Sequence, residues 1–121
     1  MGFLFEQLDV YRKSSLFAKE VLQFTSHVAP KNYALADQLR RAAMSIPANI
    51  AEGWGQWHVK EKRQFYGIAM GSTNECVAFL EFAHHQGMIT TDQLTNLNKL
   101  LIQVAQMING LSKTTLKPPQ K

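Results

Sequence analysis

Long stretches of helical periodicity constrain the fold of this chain more than any other feature of its sequence. Residues that end the predicted helices fall at Pro30, at Gly53 and Gly55, at Gly87 and at Gly110. Between them, apolar residues recur every three or four positions, and no stretch alternates as a strand does. Because short connections join the long helices, sequential neighbours should be antiparallel. The pattern predicts an all-α domain, an antiparallel up-down-up-down four-helix bundle.

The predicted helices run over about residues 6–28, 32–53, 59–86 and 90–111. The start of the fourth is defined best, because Thr90 and Gln93 have the spacing of a capping box. The bundle should therefore span residues 1–111, and 112–121 should form a disordered basic tail. Pro47 lies inside the second helix, where it removes one backbone hydrogen bond, so we expect a kink or break near Ser45 to Pro47.

Charge and targeting patterns say little about function. The net charge is +4, but most of the excess comes from Lys113, Lys117 and Lys121 near the C-terminus, so it does not indicate nucleic-acid binding by the bundle. One cysteine, Cys76, has no partner in the chain, which favours a reducing, cytoplasmic location. No targeting signal is visible, and no apolar run reaches the ~20 residues of a membrane span.

Candidate catalytic groups are sparse. Glu81-x-x-His84 resembles half of the ligand set of di-iron bundles, but those need a second copy and further carboxylates. His84 and His85 fit better at the end of the third helix, where the helix dipole favours a cation. Cys76 lies in mid-helix and is expected to be a core residue. We therefore predict no catalytic, metal or cofactor site and no small-molecule substrate, with a metal-dependent bundle enzyme as the remaining alternative.

Aromatic and basic residues occur together after the second helix. Trp54 and Trp57 precede three basic residues, and two arginines lie earlier, a combination that suits base stacking and phosphate contact. The candidate nucleic-acid contacts are Arg40, Arg41, Lys60, Lys62 and Arg63. The tryptophans could instead cover the end of the bundle or anchor a subunit interface.

The third helix carries more apolar residues than one buried face requires. Besides the stripe that contains Phe65 and Cys76, a second stripe lies about 100° around the helix. It consists of Tyr66, Met70, Thr73, Val77 and Leu80. Monomers rarely leave such surfaces in water, and the small residues Gly67, Ala69, Gly71 and Ser72 would allow another helix to approach closely. The pattern predicts a homo-oligomer, with Trp54, Trp57 and the second stripe as the candidate interface.

Three segments resemble the 23S rRNA intervening sequence proteins, a bacterial family. They are QLRRAAMSIPANIAEG at 38–53, LDVYRKS at 8–14 and IAMGSTNE at 68–75. The resemblance implies a four-helix bundle that assembles as a ring-shaped homopentamer, similar to the accessory variability protein of diversity-generating retroelements. That relative binds nucleic acid and a reverse transcriptase, so RNA or a nucleic-acid enzyme is an expected partner.

The residues that match the family's signature and those that differ from it bear on different properties of the protein. Pro47, Asn49, Glu52 and Gly53 match the family's signature and support transfer of the fold. Asn49 and Glu52 are expected to form hydrogen bonds around the proline or across subunits. After Gly53 the family commonly has basic and serine residues, whereas this chain has WGQWH. A protein-binding adaptor without affinity for nucleic acid is therefore the alternative.

Overall fold

The computed structural model describes residues 3–116, and in this part of the chain every regular element is a helix. A 3₁₀ turn at Leu4–Gln7 precedes α1, Asp9–Phe24, and a second at Pro30–Asn32 leads into α2, Tyr33–Trp54. Helices α3, Val59–His85, and α4, Thr91–Leu116, complete the fold. The predicted all-α class and the four helices are confirmed.

The four helices pack in a closed cycle. Each packs against two others, in the order α1, α2, α3, α4, and within residues 3–116 no Cα atoms of a diagonal pair lie within 8 Å of each other. Asn32, just before α2, lies beside Gln86, just after α3, with a side-chain contact of 3.4 Å. Ser45 and Ser72, near the middles of the same two helices, are hydrogen-bonded. Helices α2 and α3 are therefore antiparallel, as predicted.

Each helix contributes one apolar face to a single core. The largest wholly buried side chains are Phe17, Val21, Leu39, Ile46, Ile50, Tyr66, Leu80, Leu101, Val104 and Ile108. Their spacing of three and four residues within a helix is the pattern that the sequence showed. Burial of this apolar surface is the main stabilising contribution to the fold.

The second stripe of α3 is not a free surface. Tyr66, Thr73 and Leu80 are at most 2% exposed, and Met70 packs half-buried against the core. Only Val77 is substantially accessible, at 38%. Because α3 contacts both α2 and α4, it needs an apolar face wide enough for two neighbours. The prediction that this stripe is a subunit interface is wrong for its buried members.

The observed helix ends differ modestly from the predicted ones. The capping box at α4 is confirmed, since Thr90 N donates to Gln93 Oε1 at 2.8 Å and Gln93 N to Thr90 Oγ1 at 3.1 Å. Helix α1 ends earlier than predicted, at Phe24, whereas α4 continues through Gly110 to Leu116. The predicted tail is therefore helical over its first residues. Its remainder, 117–121, lies outside the described residues.

Candidate functional site

Helix α2 continues through Pro47. Of the predicted kink or break near Ser45 to Pro47, the break is wrong, and the kink stays a prediction. The side chain of Asn49 donates to the backbone oxygen of Ser45 at 2.8 Å and to Ser45 Oγ at 2.9 Å. Ser72 Oγ of α3 donates to Ser45 Oγ at 2.8 Å. The predicted role of Asn49 beside the proline is confirmed, and this polar chain ties α2 to α3 at their middles.

Gly53 is explained by close packing against Tyr66. A Cβ atom at Gly53 would lie 2.5 Å from Cε1 of Tyr66 and 3.1 Å from Cβ of Phe65, so only glycine fits without movement. The Tyr66 side chain is 1% exposed, and burial raises the pKa of its phenol. The phenol oxygen has no hydrogen-bond partner within residues 3–116. The last turn of α2 thus lies directly on the first turns of α3.

Lys62 has a structural role that its charge did not reveal. Its Nζ donates to the backbone oxygen of Trp54 at 2.9 Å and to that of Gly53 at 3.4 Å. It also lies 5.6 Å from the centroid of the Trp54 ring. A cation over carbonyls at a helix C-terminus is favoured by the helix dipole. Lys62 therefore caps α2. Its ammonium group already has partners within the protomer and is not free to contact nucleic acid.

The other candidate basic residues are dispersed. Arg40 forms an ion pair with Asp37 at 2.7 Å, whereas Arg41 lines a groove between α2 and α3. Lys60 and Arg63 are exposed in the first turns of α3, about 18 Å or more along the helix from the level of Arg41, at 1.5 Å per residue. The five basic residues do not form one surface.

Trp57 does not cover the end of the bundle. Its side chain is 94% exposed in the connection between α2 and α3, whereas Trp54 is 38% exposed and holds Lys62. Phe3, Leu4 and Val59 are also exposed. All of these residues lie at the end of the bundle where α1 begins and α2 ends. We call Phe3, Leu4, Trp54, Trp57 and Val59 the aromatic end.

A second accessible surface lies along the outer sides of α2 and α3. Its members are exposed residues at helical spacing on each helix: Arg41, Met44, Ala48 and Glu52 on α2, and Arg63, Gly67, Ile68, Gly71 and Glu75 on α3. We call this set the α2–α3 face. A groove of about 220 Å³ between the helices, lined by Gln38, Arg41, Ala42, Ser45, Ser72 and Glu75, borders it.

Sequence reasoning missed most of the α2–α3 face. Gly67 and Gly71 were predicted to admit another helix and are exposed, but Ala69 and Ser72, predicted with them, are buried. Glu52, of the matched segment, is exposed. The signal that could have located the face is the set of polar and small positions of 38–53 and 68–75 that fall outside the apolar stripes.

The residues considered for chemistry are separated. No group of three His, Cys, Asp or Glu side chains that could hold a metal ion occurs within residues 3–116. Glu81 is exposed, and His84 Nε2 lies 3.1 Å from Thr91 Oγ1 at the α3–α4 connection. Burial, with a smaller contribution from Glu75, raises the pKa of Cys76 to about 12. Its thiol therefore stays protonated and unreactive near neutral pH.

The same burial predicts a loss of stability in alkali. The unfolded chain releases the Cys76 proton near its ordinary pKa of 9.0, whereas the folded chain retains it to about 12. Stability is therefore complete below about pH 9 and decreases as pH rises, by up to roughly 1.4 kcal/mol per pH unit. Urea unfolding at pH 8, 9 and 10 measures this loss. Cys76→Ala should flatten the decrease between pH 9 and 10, and an unchanged slope would contradict the assignment.

A cleft between α1 and α4 is the larger of the two described depressions. It measures about 450 Å³ and is lined by Glu20, Gln23, Phe24, Gln93, Asn96 and Leu97. One carboxylate and three carboxamides surround its apolar floor, without a nucleophile or a cationic group among the lining residues. None of the helices in the described chain is long and apolar enough to cross a lipid bilayer.

Comparison with known proteins identifies the family. The family model described as 23S rRNA-intervening sequence protein matches residues 6–110. The chain belongs to this family. A search of curated proteins finds no match.

A solved structure shares the fold of this 23S rRNA-intervening sequence protein family member. It is the crystal structure of a protein with unknown function from the S23 ribosomal protein family of Bacteroides thetaiotaomicron VPI-5482. The two are 23% identical with a TM-score of 0.79, and the match covers 86% of this chain and 95% of the other. The predicted membership is confirmed, and the neighbour's likeness establishes the bundle.

Proposed function

We propose that this protein is a non-enzymatic helical scaffold that assembles with copies of itself and binds RNA or a nucleic-acid enzyme. The resemblance described above implies a ring of five copies. The observation that supports assembly best is the exposure of large apolar side chains, because monomers rarely leave contiguous apolar surfaces in water. At the aromatic end, Trp57, Phe3 and Leu4 are each more than 70% exposed, and on the α2–α3 face Met44 and Ile68 are 45% and 46% exposed.

Aromatic contacts near residue 3 order the segment before α1 and still leave apolar surface exposed. Phe3 stacks on Phe5, and Phe5 packs edge-on against Tyr11, so the start of the chain is held at this end while its outer ring remains in water. Large aromatic side chains are enriched in interfaces, where they bury much area at low entropic cost. A partner that covers this end would stabilise the protein through that burial.

Native mass spectrometry tests the assembly. At micromolar concentration the wild-type protein is expected to give one dominant oligomer, with five copies as the specific expectation. A monomer under these conditions would contradict the proposal. A defined oligomer of another size would retain the scaffold but reject the ring of five.

Binding to RNA is favoured by the exposed ring of Trp57 close in sequence to Lys60. Single-stranded nucleic acid binds to exposed aromatic side chains with cations nearby, and each stacked base contributes about 1 to 3 kcal/mol. Trp57→Ala is therefore expected to weaken binding of a single-stranded RNA by roughly tenfold, whereas Tyr33→Ala, another exposed aromatic at the opposite end, should not. Fluorescence anisotropy over a salt series measures affinity and its salt slope. An oligomer that shows no RNA binding at low salt would indicate the adaptor instead.

A further inference from the structure

The α2–α3 face contains four charged side chains without an ion-pair partner in the protomer. Within residues 3–116 the only ion pair joins Arg40 and Asp37. Arg41 and Glu52 on α2 are therefore available for contacts to another molecule, as are Arg63 and Glu75 on α3, and all four residues are exposed. The arrangement of these charges along the two helices is complementary.

The charges have matching spacings and the same order along the two helices. Along α2 the positive Arg41 precedes the negative Glu52 by about 17 Å, and along α3 the positive Arg63 precedes the negative Glu75 by about 18 Å, at 1.5 Å per residue. If α2 of one copy lies antiparallel to α3 of another, Arg41 meets Glu75 while Glu52 meets Arg63. Both ends of the contact are then paired, and a parallel arrangement would place like charges together.

The same alignment places side chains of α2 opposite glycines of α3. Between the two charge pairs, Met44 comes opposite Gly71, and Ala48 comes opposite Gly67 and Ile68. A Cβ atom at Gly67 or Gly71 would meet nothing within 4 Å. Each glycine in a helix interior lowers the free energy of unfolding by roughly 0.5 to 1 kcal/mol relative to alanine. No contact within the protomer requires glycine at these two positions. A helix from another copy would lie close to α3 at these positions, and Ile68, 46% exposed, would be covered.

We propose that the copies of this protein contact one another through the α2–α3 face, with α2 of one copy antiparallel to α3 of the next. The inference rests on the proposed self-assembly and assigns its interface. It gives Glu52 a partner across subunits. Arg63 belongs to this contact, so Trp57 and Lys60 remain for other partners.

The position of α2 and α3 in the bundle suits a closed ring. They are neighbours in the cyclic order of the helices, so their outward surfaces face different directions. A ring closes when the two contact surfaces of each copy diverge by about 90° for four copies and by about 108° for five. A contact that uses different helices on the two sides is heterologous, which is the type of interface that generates rings.

A bulky side chain at Gly71 tests the contact directly. Because the site is open in the protomer, Gly71→Leu should fold normally but raise the dissociation constant of the oligomer roughly tenfold to a hundredfold. Gly110→Leu is the matched control, since Gly110 is also an exposed helical glycine with nothing within 4 Å of an added Cβ. Circular dichroism confirms folding, and sedimentation velocity measures assembly.

Charge reversal tests the pairing of Arg41 with Glu75. Arg41→Glu and Glu75→Arg should each dissociate the oligomer, and the double variant should restore it. When the two single variants are mixed, native mass spectrometry should detect heteromers that contain both. The mixing experiment decides the assignment, because Arg41 and Glu75 also line one groove of the protomer. The double variant restores opposite charges there as well, whereas heteromers of the two single variants require a contact between copies. Lys19→Glu, on the exposed surface of α1, should leave assembly unchanged.

The possible outcomes separate this inference from the proposed function. If the wild-type protein is monomeric, the proposed assembly fails and this interface fails with it. If the wild type is oligomeric but Gly71→Leu and both charge reversals assemble normally, only the α2–α3 contact is wrong. Loss of assembly in Gly110→Leu or Lys19→Glu to the same extent would also overturn the assignment.

Discussion

Replacing Gly53 with alanine is expected to lower the free energy of unfolding by about 1 to 3 kcal/mol, the usual cost of overpacking a well-packed site. The added Cβ would lie 2.5 Å from the Tyr66 ring, so the ring or the last turn of α2 must shift. The result is contrary to helix propensity, because alanine is the better helix former by up to ~1 kcal/mol. Urea unfolding monitored by circular dichroism measures the change.

Two variants separate the contact from propensity. Gly110→Ala, where the new Cβ meets nothing, should raise stability by about 0.5 to 1 kcal/mol. Tyr66→Leu removes the ring edge that Gly53 faces, so Gly53→Ala should cost less in that background than in the wild type. Equal costs in both backgrounds would show that the ring is not the reason for glycine.

Truncation of Phe17 should have the largest effect of any single change considered. Phe17 is 0% exposed in the core, and removal of such a ring costs about 3 to 5 kcal/mol through lost burial and the cavity that remains. That is a large fraction of the 5 to 15 kcal/mol that typically stabilises a small domain, so Phe17→Ala should be largely unfolded at moderate urea.

The neighbouring residue provides the control for Phe17. Leu16 is 48% exposed, so Leu16→Ala should lower stability much less, by about 1 kcal/mol or below. Comparable losses at the two positions would mean that α1 is rotated about its axis relative to the described structure. The pair therefore tests which face of α1 is buried.

Local signals in the sequence determined the helices well. Thr90 and Gln93 defined the start of α4 because a capping box depends only on residues within one turn. Gly110 was misleading as a terminus, since a helix tolerates one exposed glycine at a cost of about 1 kcal/mol. Pro47 was misleading as a break, because α2 continues through it from Tyr33 to Trp54 despite the loss of one backbone hydrogen bond.

Contacts between helices were less predictable. The second stripe of α3 was interpreted as surplus because periodicity gives the width of an apolar face but not the number of neighbours that cover it. The capping role of Lys62 depends on where α3 starts relative to the end of α2. The α2–α3 face likewise emerges only when α2 and α3 are placed side by side, since its charges lie on separate helices.

The cyclic order of the helices has a consequence for how the bundle forms and opens. Three of its four contacts join consecutive helices through short connections, whereas α1 and α4 meet only across the whole length of the chain. Contacts between sequence neighbours form with little loop-closure entropy, and such topologies fold rapidly. We therefore expect the pair α1–α4, which also borders the 450 Å³ cleft, to close the cycle last and to separate first. The α2–α3 hairpin, which carries the proposed interface, should be the kinetically persistent half of the molecule.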